Sequence, residues 1–123
     1  MRVVDTSLWI ELFAKGPLVE AAKHAVLPLN TCVVPAMVHF ELAKWSLRVL
    51  STEESQNIAS LLTECVSVKI DEAIATEAAR LAVLHKLHAT DAIIYATAQL
   101  MEAKLLTCDA HFKELPDVEY FEK

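Results

Sequence analysis

Asp5, Glu41, Asp91 and Asp109 stand where a parallel-sheet protein could bring acids together. Asp5 follows the apolar Val3-Val4, and Asp109 follows Leu105-Leu106-Thr107-Cys108. Glu41 comes six residues after Pro35, itself just past the strand-like Cys32-Val33-Val34, and Asp91 directly follows Thr90. If each apolar run is a buried parallel strand, its carboxyl end faces the crevice where open α/β sheets place their sites. Carboxylates gathered there repel one another, by roughly 4 kcal/mol per pair at 4 Å and an effective dielectric near 20. A proton or a cation must neutralise such a cluster, and acidic oxygen ligands suit Mg²⁺ or Mn²⁺.

The elements that must position these acids follow from local patterning. Residues 2–5 read as a strand and 7–14 as a short helix, capped by Thr6 or Ser7. Gly16-Pro17 breaks the chain, and 18–27 suits a helix that stops at Pro28. Thr31 to Val34 is a second strand, and Pro35 suits the first turn of a helix over 35–50. Ser51-Thr52-Glu53-Glu54 matches a capping box, which predicts a helix over 52–63. Cys65 to Ile70 alternates and is rich in β-branched residues, as a strand would be. Asp71 can cap a helix over 72–87, with Ile74, Ala78, Leu81, Ala82 and His85 at helical spacing. Thr90 or Asp91 starts a further helix to Ala103, Leu105 to Cys108 is a central strand, and 118–121 the last. Strands alternating with helices, several of them apolar throughout, predict an α/β fold: a three-layer α/β/α sandwich around a mostly parallel sheet.

Composition narrows the function classes. A chain of 123 residues with 54% hydrophobic side chains is expected to form one domain, residues 1–123, with apolar surface left for a subunit or partner. The net charge of −6 argues against broad adhesion to nucleic acid or anionic membrane, but a metal site reverses the sign locally. Gly16 is the only glycine, so neither a Walker loop nor a dinucleotide fingerprint can be present. Any phosphate must be handled through a metal or side chains. Cys32, Cys65 and Cys108 lack paired spacing, and Met1-Arg2-Val3-Val4 does not open like a signal peptide. No apolar run reaches the ~20 residues that span a bilayer. The expectation is a cytoplasmic protein with free thiols and no membrane contact.

Each acid also has a plain structural reading. Asp5 could simply cap the following helix, and Glu41 could pair on the surface with Lys44. Asp91 could serve the helix macrodipole, and Asp109 could cap a short turn over 110–114. Against four independent coincidences stands the fact that all four map to one edge of the sheet.

Four segments carry a family resemblance over nearly the whole chain. Asp5-Thr6-Ser7 with Ile10 is similar to an opening D-T-S-x-x-I, and Val34-Pro35 through Glu41-Leu42 to V-P-x-x-x-x-x-E-L. Asp91-Ala92-Ile93-Ile94-Tyr95-Ala96-Thr97-Ala98 resembles D-A-x-I-A-A-T-A, and Leu105-Leu106-Thr107-Cys108-Asp109 with Phe112 resembles L-L-T-x-D-x-x-F. Together, in order, these resemble a PIN-domain ribonuclease of the VapC toxin type. The chain departs from that pattern at Trp45, where a small residue or glycine is usual. The resemblance implies that Asp5, Glu41, Asp91 and Asp109 are a metal-binding catalytic quartet for Mg²⁺ or Mn²⁺, supported by Thr6 and Thr107. It also implies an RNA substrate, a cognate antitoxin protein and homodimerisation.

The expected reaction is hydrolysis of an RNA phosphodiester by a metal-activated water, leaving 5′-phosphate and 3′-hydroxyl ends. Lys15, Lys44 and Arg48 are candidate phosphate contacts; the last two share a helical side with Glu41. Three other readings stay open. Histidines His39, His85, His88 and His111 could act as acid and base without metal. A Mg²⁺-dependent phosphoacceptor or phosphatase-like domain also gathers acids, with Asp71 or Asp5 as acceptor, although position 7 is Ser. Finally, the acidic edge could be an ion site on a non-catalytic interaction module. Serine-hydrolase chemistry at Ser7 or Ser46 and reactive-cysteine chemistry at Cys32 or Cys65 lack their usual surroundings.

Overall fold

Five short strands form one sheet in the computed structural model, which describes residues 1–123. They are β1 (Arg2–Val4), β2 (Cys32–Pro35), β3 (Val66–Val68), β4 (Lys104–Thr107) and β5 (Val118–Tyr120). Every pairing is parallel, in the order β3-β2-β1-β4-β5. The register is set by apolar residues, with Val3 beside Val33 on one side and Leu105 on the other. Neighbouring residues of the central strands, Val3 and Val4 or Val33 and Val34, are fully buried although they point to opposite faces. Both faces are therefore covered, which is the three-layer arrangement.

The covering helices are α1 (Thr6–Phe13), α2 (Val19–Val26), α3 (Ala36–Val49), α4 (Thr52–Leu62), α5 (Glu72–His85) and α6 (Ala89–Leu100). None is long and apolar enough to cross a membrane. Helix α6 buries Ala92, Ile94, Tyr95, Ala96, Thr97 and Ala98, more than one face. Its two buried polar groups are satisfied, Tyr95 by Pro116 O at 2.8 Å and Thr97 by Ile93 O at 2.8 Å. Strand order reverses at β1. The chain winds outward from β1 through β2 to β3, then returns to β4 on the opposite side of β1. The crevice at such a switch point, beyond the carboxyl ends of β1 and β4, is where this architecture seats a ligand.

Several boundaries differ from the sequence reading, each for a physical reason. Pro35 ends β2 and is the N-cap of α3, with ψ 150°, rather than a residue of its first turn. Helix α5 stops at His85 because Lys86 adopts a left-handed φ of 56°. His88 is the N-cap of α6, so Thr90 and Asp91 lie inside its first turn and neither starts it. That helix ends at Leu100, and Glu102 turns the chain with φ 53°. Strand β3 covers only Val66–Val68, which leaves Cys65 just before it and Cys108 just after β4. The three cysteines are free, and burial pushes the Cys32 thiol up to about 12 despite the nearby Arg2.

Gly16 is required by close approach. A Cβ there would stand 2.5 Å from both carboxylate oxygens of Glu11. Glu11 is buried, accepts the Leu18 N–H at 2.9 Å and lies 3.5 Å from Lys123 Nζ. That carboxylate closes the turn between α1 and α2. Gly16→Ala is expected to push it off Leu18 and cost about 2 kcal/mol, the scale of a hydrogen bond to a charged group. Urea unfolding checks this, and the same substitution in a Glu11→Ala background should cost much less.

Candidate active site

Asp5 is placed by backbone before its side chain matters. Its N–H donates to Leu106 O at 2.9 Å, extending the β1–β4 ladder by one residue at the switch point. Its φ of −67° and ψ of 152° make it the N-cap of α1, and the side chain accepts the Ser7 N–H at 3.4 Å. Asp5 thus caps a helix, but the cap is only part of its environment. Ser7 Oγ donates to Asp5 Oδ2 at 2.7 Å and Thr107 Oγ1 to the same oxygen at 2.8 Å. All three bonds fall on Oδ2, which leaves Oδ1 without a protein donor although Asp5 is only 4% exposed. Burial raises the Asp5 pKa, opposed by the Ser7 and Thr107 hydrogen bonds and assisted by Asp109.

Thr107 ties this acid to the next. Fully buried at the end of β4, it gives its O–H to Asp5 and accepts the Asp109 N–H at 2.9 Å. The Cys108 N–H donates to Ser7 Oγ at 3.1 Å, so hydroxyls stitch the ends of β1 and β4 together. Asp109 caps the short 3-10 turn Ala110–Phe112 by accepting the His111 N–H at 2.9 Å. Thr6, in the first turn of α1, donates to Glu41 Oε1 at 2.7 Å and fixes that side chain from the neighbouring helix. Glu41 is half-buried; burial raises its pKa, Thr6 opposes this, and Asp5, Asp91 and Asp109 add to the rise. Glu41 makes no ion pair with Lys44.

Asp91 lies in the first turn of α6 without capping it. Its pKa is raised by burial first, then by Asp109 and Asp5, with His111 and His88 pulling the other way. The structure thus brings Asp5, Glu41, Asp91 and Asp109 within electrostatic reach of one another. The tightest part is Asp91, Asp109 and His111, whose ligand atoms all lie within 4.8 Å of each other. His111 Nδ1 is 2.9 Å from Asp109 Oδ1 and 4.0 Å from Asp91 Oδ2. Acid-rich oxygen donors with one imidazole suit a divalent cation, and the free Asp5 Oδ1 is an oxygen such an ion could use.

A groove of about 330 Å³ runs beside Glu41, lined by Thr6, Ile10, Phe40, Lys44, Trp45, Arg48 and Thr90. Lys44 and Arg48 therefore adjoin the acids, and neither has an acidic partner. Lys15 lies past the far end of α1, with φ 54°, and does not line this groove. Of the four histidines considered, His39 bonds Ser67 at 2.9 Å and His85 packs edge-on against Tyr95. Only His88 and His111 reach the acids, their rings 6.1 Å apart. Asp71 caps α5 through the Ile74 N–H at 2.9 Å, which occupies it structurally. Sequence reasoning undervalued His111, for which spacing offered a signal, since it lies two residues beyond Asp109.

A cluster of raised acid pKa values makes a stability prediction. An acid whose folded pKa is raised carries no penalty below its unfolded value, near pH 4, and a growing one as pH climbs through the folded value. In chelator, Asp91→Asn should therefore match the parent protein in Tm at low pH. It should exceed it by a few degrees near neutrality, and thermal melts across pH check this.

The PIN domain family model matches residues 2–118. The comparison with curated proteins returned no match. Among solved structures, the chain is similar to a toxin–antitoxin complex from Klebsiella pneumoniae, at 26% identity and TM-score 0.87 over 100% of both chains. It also resembles VapC20 of Mycobacterium tuberculosis, described as a toxin cleaving the sarcin–ricin loop, at 20% identity and TM-score 0.80, covering 97% of this chain and 98% of that one. VapBC2 of Rickettsia felis, bound to promoter DNA, shares the fold at 16% identity and TM-score 0.78 over 98% of each chain. With the model spanning nearly its whole length, the chain belongs to the PIN-domain family.

Proposed function

We propose that residues 1–123 act as a single metal-dependent endoribonuclease domain, the toxin of a VapC-type toxin–antitoxin pair. The observation that carries this reading is the convergence of Asp5, Glu41, Asp91 and Asp109 from four separate segments on the carboxyl edge of one parallel sheet. Capping gives Asp5 and Asp109 a structural role, but Glu41 and Asp91 cap no helix. Burial first, and mutual repulsion after it, raise the pKa values of Asp5, Glu41 and Asp91, and a hard divalent cation would offset that repulsion.

The quartet is the proposed ligand set for Mg²⁺ or Mn²⁺. When bound, such an ion supplies a hydroxide-like nucleophile at neutral pH and stabilises charge on the phosphodiester. The protein's own contribution is placement. Thr107 and Ser7 hold Asp5 by one oxygen and leave the other free, and Thr6 holds Glu41. Lys44 and Arg48, rather than Lys15, receive RNA phosphates in the groove beside Glu41. That groove lets an acidic protein hold a polyanion, because two unpaired cations offset the local repulsion.

Partners follow from the same reading. Phe40, Leu47, Val83 and Leu84 are large apolar side chains more than half exposed, supporting a homodimer and an antitoxin-binding surface. The structural neighbours that are toxin–antitoxin complexes support the antitoxin. Three cysteines with no disulfide among them favour the reducing cytoplasm. The phosphoacceptor reading loses ground because Asp71 is committed to capping α5.

Purified protein should cleave RNA with Mn²⁺ or Mg²⁺ and stop in excess chelator. Asp5→Asn and Asp91→Asn should each lower the rate about 100-fold or more. End mapping should find 5′-phosphates; 2′,3′-cyclic phosphates would contradict a water nucleophile. Replacing both Lys44 and Arg48 by Ala should weaken RNA binding and flatten its log–log salt dependence by about 1.4. An unchanged slope would remove them from the binding surface.

A further inference from the structure

His111 is the one nitrogen donor in the tight set, and its placement is built rather than incidental. Asp109 turns the chain into the 3-10 segment Ala110–Phe112, and the Phe112 N–H closes that turn on Asp109 O at 3.1 Å. Phe112 is fully buried, so the turn is anchored in the core although the His111 side chain is 66% exposed. The result is an imidazole returned to the acids by packing.

Its distances to two of the acids are compatible with a six-coordinate ion. Donors about 2.1 Å from such an ion lie about 3 Å apart when adjacent and about 4.2 Å apart when opposite. His111 Nδ1 lies 2.9 Å from Asp109 Oδ1 and 4.0 Å from Asp91 Oδ2. The first distance would also serve a plain hydrogen bond, but the second would not. Moreover, the Asp91 carboxylate receives no hydrogen bond, and Asp5 Oδ1 is left free in a side chain more than nine-tenths buried. Asp91 thus keeps both carboxylate oxygens unused beside Nδ1, and Asp5, within electrostatic reach of Asp91, keeps one. His88, the other imidazole near Asp91, sits outside the tight set.

We propose that His111 is a nitrogen ligand of the ion held by these acids, and that it makes the site prefer Mn²⁺ to Mg²⁺. The inference rests on the metal-site reading above and adds a ligand and an ion to it. Mg²⁺ takes oxygen donors and gains little from imidazole, whereas a first-row transition ion accepts nitrogen readily.

The test is pulsed electron paramagnetic resonance of bound Mn²⁺, with Mn²⁺ and Mg²⁺ affinities from calorimetry, on the whole chain. The parent protein should show nitrogen coupling to Mn²⁺ and bind Mn²⁺ more tightly than Mg²⁺. His111→Ala, at an exposed position, should fold normally by circular dichroism and lose the coupling. It should weaken Mn²⁺ binding about tenfold or more and change Mg²⁺ binding far less. Bound Mn²⁺ without nitrogen coupling, or coupling that survives His111→Ala, overturns the ligand assignment and leaves the acidic site intact. If the parent protein binds no Mn²⁺ and Asp91→Asn changes nothing, the metal site itself is overturned, and His111 with it.

Discussion

Repulsion among negative charges at the carboxyl edge of β1 and β4 is the constraint on which the site depends. Asp5 is buried in the crevice, Asp109 leaves the neighbouring strand, and Glu41 and Asp91 are brought in by two helices. Left alone, such groups would splay towards solvent. They are held by groups that cannot easily yield: a ladder hydrogen bond from Asp5 N to Leu106 O, the buried Thr107 and the Thr6–Glu41 contact. The apolar core beneath, from Val3 and Val4 across to Leu105 and Leu106, supplies the rigidity. The fold's packing free energy holds together groups whose ionisation opposes being together.

This also explains the asymmetry between hydroxyls and acids. Ser7, Thr107 and Thr6 each donate to one carboxylate oxygen and leave another open. Full satisfaction of Asp5 by protein donors would have lowered its pKa and removed any need for an ion. Partial satisfaction orients the carboxylate while keeping an oxygen available. In the groove beside Glu41 the opposite sign prevails, because Lys44 and Arg48 have no acidic partner. A chain of net charge −6 thus presents a short cationic path leading to an acidic pocket.

Much of the frame was legible in the sequence because it rests on patterning. Apolar runs followed by an acid at Val4-Asp5 and near Thr107-Asp109 mark strand ends, and the Ser51–Glu54 capping box appears as read. What escaped depends on geometry that composition does not encode. Lys86 ends α5 in a left-handed conformation that glycine would have announced and lysine does not. His88 caps α6 without a side-chain bond, so Thr90 looked like the better start. Lys15 resembled Lys44 and Arg48 as a cation, but it lies beyond the far end of α1. His111 was one of several histidines until the 3-10 turn folded it back beside Asp109, a proximity that only the tertiary anchor at Phe112 creates.

The most direct examination is a crystal of the protein grown with Mn²⁺ and measured at the manganese absorption edge. The account predicts an anomalous peak between Asp91 and Asp109, within bonding distance of the free oxygen of Asp5 or the carboxylate of Glu41. A well-ordered crystal with the carboxylates resolved and no manganese among them, at a concentration that supports RNA cleavage, would contradict it.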